Sequence, residues 1–235
     1  MGITHGLGRL PFEADERDGS YTAERLEAML ELGLAAPVEW GNANRVLDQG
    51  RYGTCVAAGT LGLLNTDDAQ HNDPRFTSGD IMPFFKTIEG GDVLAGAQVR
   101  NGLKAAKKAG LVEAYARLAE DDIEPWLRAH GPVLVGTVWT EKMSEPMGIV
   151  VVVDTTNAAS GHCWYIHGAN SDYWHGTNSW GSDWADHGYF YVSRTDFHDL
   201  YLAGGEAWAC VQPVAPERTA AAWWQRLIRL FRGGD

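Results

Sequence analysis

Four residues have types and spacing that could carry chemistry: Gln49, Cys55, His162 and Asn178. Cysteine attacks carbonyl carbon as its thiolate, so a reactive cysteine needs surroundings that favour the anion. Cys55 follows the polar, glycine-bearing loop Gln49-Gly50-Arg51-Tyr52-Gly53-Thr54 and precedes small and apolar residues that continue to Leu64. This places it at the first turn of a buried helix, where unpaired N–H groups and the positive end of the helix dipole stabilise a thiolate. A lone cysteine before an apolar helix is also what an ordinary core residue looks like, so the chain has to supply a base and a group to orient it. His162 follows Ser160-Gly161 at the start of one strand-like run, and Asn178 ends the next. Adjacent antiparallel strands bring positions 16 apart side by side, so His162 can serve as the base and Asn178 as its orienting partner.

The elements that must position these groups fall into two halves. Residues 1–20 are rich in Gly, Pro and charge and read as an extended surface arm with no functional role. Residues 22–30 carry apolar positions at 26, 29 and 30 and read as a short amphipathic helix, stopped by Gly33 and Pro37. After the Cys55 helix, 65–79 is a polar, turn-rich loop and 81–88 a short helix or strand. Residues 99–108 form a helix closed by Gly110, and 121–130 another, so that the first 130 residues are mainly helical. Beyond Gly131-Pro132 the pattern turns to β, with runs at 133–140, 149–153, 162–168, 173–178 and 188–193. A helical half followed by an antiparallel β half gives an α+β protein with a cleft where the halves meet. The expected organisation is an arm and short helix over 1–36, a catalytic domain over 37–213, and a linker and amphipathic helix over 214–235.

Composition narrows the function. The chain has 235 residues, 45% hydrophobic, enough to bury a sizeable core. Its net charge of −12 argues against a nucleic-acid partner, which needs clustered Lys and Arg. Three cysteines cannot all pair and show no metal-ligand spacing, and the histidines other than His162 show none either, so neither a metal nor a cofactor is expected. No signal peptide or transmembrane run is encoded, which suits a cytoplasmic or virion-associated protein.

On these residues the chain resembles the papain-like cysteine peptidases. That family has a Gln six residues before its nucleophile and an Asn sixteen after its base, as Gln49 and Cys55, His162 and Asn178 are here. Its Asn-Ser-Trp-Gly, then Trp, then Gly-Tyr is matched by Asn178-Ser179-Trp180-Gly181, Trp184 and Gly188-Tyr189. The resemblance covers 37–213 and implies a two-lobed fold with cysteine on the helical lobe and His and Asn on the β lobe. It implies that the Gln49 amide and the Cys55 N–H form the oxyanion hole and that Trp180 covers the His162–Asn178 hydrogen bond. It further implies that Gly90-Gly91 is the glycine pair beside which substrate backbone lies, and that Cys163 lines the pocket for the second side chain on the acyl side.

The chain departs from the family in having Val56 where a Trp usually follows the nucleophile and Tyr52 where a disulfide cysteine usually stands. Only 54 residues precede Cys55, fewer than the inhibitory pro-domain of secreted members, and the sequence around it resembles short bacterial and phage members. The expected activity is hydrolysis of peptide bonds through an acyl-thioester on Cys55. The alternatives are an amidase or acyltransferase on peptidoglycan-type peptides, and a papain-fold virion component with little turnover. Residues 220–232 carry Trp223, Trp224, Leu227, Ile228 and Phe231 against three arginines and suit a protein partner or oligomer contact.

Overall fold

A computed structural model describes residues 5–13, 36–41, 46–66, 76–156 and 160–213; the helices expected over 22–30 and 220–232 lie outside these. The β-branched and aromatic runs pair into one antiparallel sheet. Its strands are β1 (Val38–Glu39), β2 (Ala114–Leu118), β3 (Val133–Trp139), β4 (Ser160–Ala169), β5 (Tyr173–Thr177), β6 (Tyr189–Ser193) and β7 (Glu206–Val211). They lie in the order β2-β7-β3-β4-β5-β6, with β1 paired to the far end of β4. Residues alternate across the sheet, so β4 sends Cys163 and Tyr165 to one face and Trp164 and Ile166 to the other, into two separate hydrophobic clusters.

Helices cover both faces. On the Cys163 side lie α1 (Cys55–Leu64), α2 (Ser78–Phe85) and α3 (Val99–Lys108), while α4 (Glu120–Ala129) and α5 (Arg194–Leu202) pack on the other. Every residue of α1 is buried, as its unbroken run of small and apolar residues requires. Two glycines let α1 approach β4 closely. A Cβ on Gly59 would lie 3.1 Å from Cys163 Sγ, and one on Gly62 would lie 2.9 Å from the Tyr165 ring. This close approach sets the depth at which Cys55, the first residue of α1, meets β4.

The fold is α+β, with five α-helices and seven strands among the described residues. It differs from the sequence expectation in detail. The helical half contains a strand, β2, which is paired along its whole length with β7. The two alanines of β2 weaken its strand signal in isolation, and pairing supplies it. Residues 149–153, strongly β-prone, form no strand; Val150 makes only single bridges, to Met147 and Tyr191. Of residues 81–88, the first five complete the helix α2, which tolerates Pro83 in its interior, and 86–88 form the turn that follows it. Among the described residues no helix is long and apolar enough to cross a membrane.

The contact between α1 and β4 is directly testable. Gly62→Val would gain helix propensity but drive a branched side chain into Tyr165, so we expect a net loss of about 1–3 kcal/mol in urea unfolding.

Candidate active site

The loop before α1 is laced to the β half. Gln49 N donates to Ser179 O at 2.9 Å and Gly181 N to Leu47 O at 3.2 Å. The Gln49 side chain is fixed at both ends: Oε1 accepts from Ser179 Oγ at 2.5 Å, and Nε2 donates to Tyr52 O at 2.8 Å and Gly6 O at 2.9 Å. Since a hydroxyl and two carbonyls surround it, the amide protons must point toward Tyr52 and Gly6. Cys55 opens α1 with its thiol beside backbone groups of Gly8 and of Cys163, the residue that follows His162.

His162 and Asn178 share one side of the β4–β5 pair. Tyr165 faces Thr177, which puts Asn178 opposite Trp164 in register, and the Asn178 side chain reaches along the strand to His162. Asn178 Oδ1 lies 2.7 Å from His162 Nε2 and also accepts the Ser179 backbone N–H at 2.7 Å. A backbone N–H can only donate, so this atom is the amide oxygen, and His162 Nε2 must carry the proton that it shares with Asn178. In the neutral ring the lone pair is therefore on Nδ1, which is buried without a hydrogen-bond partner. Trp180 lies over the ring at 4.8 Å and Trp139 meets it edge-on at 4.9 Å.

Residues 5–10 of the chain's own N-terminal stretch pack against these groups rather than lying free on the surface as an arm. The His5 ring stacks on Trp180 at 4.6 Å. Gly6 and Gly8 pass so close to the loop before Cys55 that a Cβ would stand 2.0 Å from Tyr52 O and 2.3 Å from Gly53 O, respectively. Gly8 O accepts from Ala97 N at 2.8 Å, Arg9 N donates to Gly161 O at 3.0 Å, and Leu10 N donates to Ala97 O at 2.9 Å. The arm's Gly and Pro content gives no periodicity from which this placement could be read.

Gly90 and Gly91 do not border the cleft. They close the turn after α2, where Gly91 packs on the Phe85 ring and the Ile88 carbonyl. The glycine at the cleft is Gly96, with φ +98°, whose Cβ would fall 1.6 Å from Gly8 O. The readable signal was Asp92, which ties the turn by accepting from Leu94 N at 2.8 Å and Ala95 N at 2.9 Å. Cys163 points the other way from His162, against Gly59 and Leu134 in the core between α1 and the sheet. All three cysteines are free.

Covered in this way, the site is held neutral. Burial pushes the Cys55 thiol up to about 11, against neighbouring backbone hydrogen bonds that act in the opposite sense. Burial also pushes the His162 imidazole down to about 4, opposed by the Asn178 hydrogen bond and reinforced by His5. Among the described residues no group of three or more His, Cys, Asp or Glu is arranged to hold a metal ion.

A thiol at a helix start, an imidazole oriented by one carboxamide and a second carboxamide fixed at both ends lie together where the loop before α1 meets β4 and the end of β5. The model of the papain family cysteine proteases matches residues 85–203, half of the chain, and the chain belongs to that family. Its activity is that of a cysteine peptidase acting on peptides or proteins. Among solved structures it is similar to xylellain, a cysteine protease from Xylella fastidiosa, with 20% identity and a TM-score of 0.71 over 89% of this chain and 97% of that one. It is also similar to digestive procathepsin L2 from the larval midgut of Tenebrio molitor, with 17% identity and a TM-score of 0.68 over 88% and 78% of the two chains. Digestive procathepsin L 3 from the same source matches at 18% identity and a TM-score of 0.62 over 89% and 76%. At these identities the likeness is one of fold. No curated protein matches the chain.

The burial of the pair fixes how stability depends on pH. The unfolded chain binds a proton at His162 below its ordinary value of 6.5 while the folded chain does not until about 4, so stability falls as pH drops through that window. At the other end the unfolded chain loses the Cys55 proton above 9.0 while the folded chain keeps it to about 11, so stability falls again as pH rises between them. Urea unfolding across pH should show both declines, with the acid one reduced in His162→Gln and the alkaline one reduced in Cys55→Ala.

Proposed function

We propose that Cys55 is the nucleophile of this cysteine peptidase, His162 its general base and acid, Asn178 the group that orients His162, and Gln49 an oxyanion donor. The supporting observation is the double acceptance at Asn178 Oδ1, because it leaves His162 with its free lone pair on Nδ1. In this reading Nδ1 takes the Sγ proton and the thiolate attacks the scissile carbonyl carbon. The carbonyl oxygen gains charge and is met by the Gln49 Nε2–H and the Cys55 backbone N–H. As the tetrahedral carbon collapses, the C–N bond breaks and Nδ1–H protonates the departing amine, leaving a thioester on Cys55. His162 then removes a proton from water, the hydroxide carbon–oxygen bond forms, and the thiolate departs.

The Gln49 amide is occupied by the Gly6 carbonyl, so residues 5–10 must leave the cleft before a substrate carbonyl can enter. Trp180, tilted over the His162 ring, keeps water from competing for the His162–Asn178 hydrogen bond. On sequence alone, the reading extends to a protein contact through 220–232 and to a cytoplasmic or virion setting.

Kinetics on a fluorogenic peptide separate these roles. Cys55→Ala should abolish turnover, and Gln49→Ala should lower kcat by roughly a hundredfold, the usual loss for one oxyanion donor. Asn178→Ala should retain measurable activity with an altered pH profile, since it frees the imidazole to rotate without removing it. Equal abolition by Asn178→Ala and Cys55→Ala, with both variants folded, would refute the orienting role.

A further inference from the structure

Arg9 enters the cleft on the N-terminal segment, yet its side chain is only 4% exposed and meets a Glu206 side chain that is 0% exposed. Glu206 Oε1 accepts from Arg9 Nε at 3.0 Å and from Nη2 at 2.8 Å, while Oε2 accepts from Trp208 Nε1 at 2.7 Å. Arg9 Nη2 donates a second time, to Gly204 O at 2.9 Å. The slot exists because two strand positions lack side chains. A Cβ on Gly136 would lie 2.9 Å from Arg9 Nε and 3.0 Å from Glu206 Oε1, and one on Gly161 would lie 2.8 Å from Arg9 Cδ. Outward, the slot opens into a pocket of about 650 Å³ bounded by Phe12, Arg117, Ser160, Tyr201 and Gly204.

A buried carboxylate is costly unless a cation or several donors satisfy it. Trp208 satisfies only one oxygen, so whatever replaces Arg9 in the slot must bring donors to the other. The backbone at Arg9 is held by Gly161 O on one wall of the cleft and pairs with Ala97 on the other. A peptide laid past Cys55 in either direction meets these same two walls, and so offers a side chain to the same slot. We infer that the slot ending at Glu206 is a substrate subsite for a guanidinium side chain, occupied in this structure by Arg9 of the chain's own N-terminal segment. The planar guanidinium fits because its fork supplies Nε–H and Nη–H to Oε1 together with a further Nη–H to Gly204 O. Selectivity follows from the same chemistry: a neutral side chain of equal length leaves Glu206 buried and unpaired. The subsite rests on the peptidase reading for its use, but its occupancy can be measured without turnover.

The test uses the full-length Arg9→Ala variant and two small probes of equal shape, n-butylguanidine and n-butylurea. By calorimetry and thermal shift, n-butylguanidine should bind at least tenfold more tightly than n-butylurea, and the preference should vanish in Arg9→Ala/Glu206→Gln. Equal binding of the two probes, or a preference that survives Glu206→Gln, would overturn the subsite. A second measurement needs no change at Arg9. On wild-type protein, peptides with arginine scanned through the acyl-side positions should outperform their citrulline counterparts by about a hundredfold in kcat/KM at one position, falling to within about threefold in Glu206→Gln. Cleavage with no such preference would remove the subsite and leave the peptidase reading intact. Selective n-butylguanidine binding with no peptide cleaved would support the subsite and count against the peptidase reading.

Discussion

A histidine with no solvent exposure can act as a base only if the protein decides which of its nitrogens is bare, and here one carboxamide oxygen makes that decision. Asn178 Oδ1 is pinned by the Ser179 N–H, so it can only accept from His162 Nε2. The free lone pair is thereby assigned to Nδ1. Much of the surrounding structure serves this arrangement. The β4–β5 pairing brings the two residues to one side of the sheet, and Trp139 and Trp180 hold the ring plane. The depth of α1, set by Gly59 and Gly62, carries the thiol to the same strand from the opposite layer.

The cost of assembling such a site is visible in its unpaired polar atoms. Most of the buried side-chain polar atoms without partners among the described residues lie here: His5 Nδ1, Thr54 Oγ1, His162 Nδ1, Asn178 Nδ2 and Trp180 Nε1. Buried polar groups elsewhere are paired as a rule, so this concentration marks a place where structure is kept ready for a partner rather than closed on itself. The N-terminal segment answers part of that need through backbone hydrogen bonds. It covers the thiol and imidazole without giving either a charge, and both remain in their neutral forms.

How much of this could be read from the sequence depended on whether the signal was local. The six-residue and sixteen-residue spacings were legible because each is set by one loop or one hairpin; His162 and Asn178 are in hydrogen-bond contact, and the Gln49 side chain is tied to Ser179, the next residue after Asn178. Helices α3 and α4 were legible from amphipathic spacing and from the glycine beyond α3. The strands β2 and β7 were not, because Ala114–Leu118 and Glu206–Val211 become strands by pairing, β2 with β7 and β7 also with β3. Gly96 could not be told from Gly90 and Gly91 by residue type; only the approach of Gly8 distinguishes it. Arg9 and Glu206 are 197 residues apart and carry no pattern that links them, so their pairing is a property of the fold alone.

The central claim is that Cys55 forms a thioester which His162 then helps to resolve. It is tested most directly by quenching the protein in acid during turnover of a peptide ester and locating the acyl group by mass spectrometry of the digested chain. We expect the acyl mass on the peptide that contains Cys55, accumulating further in His162→Gln if acylation by the ester still proceeds, and absent in Cys55→Ala. Product formation with the acyl group on Cys163 or Cys210, or with an active Cys55→Ala variant, would contradict the account.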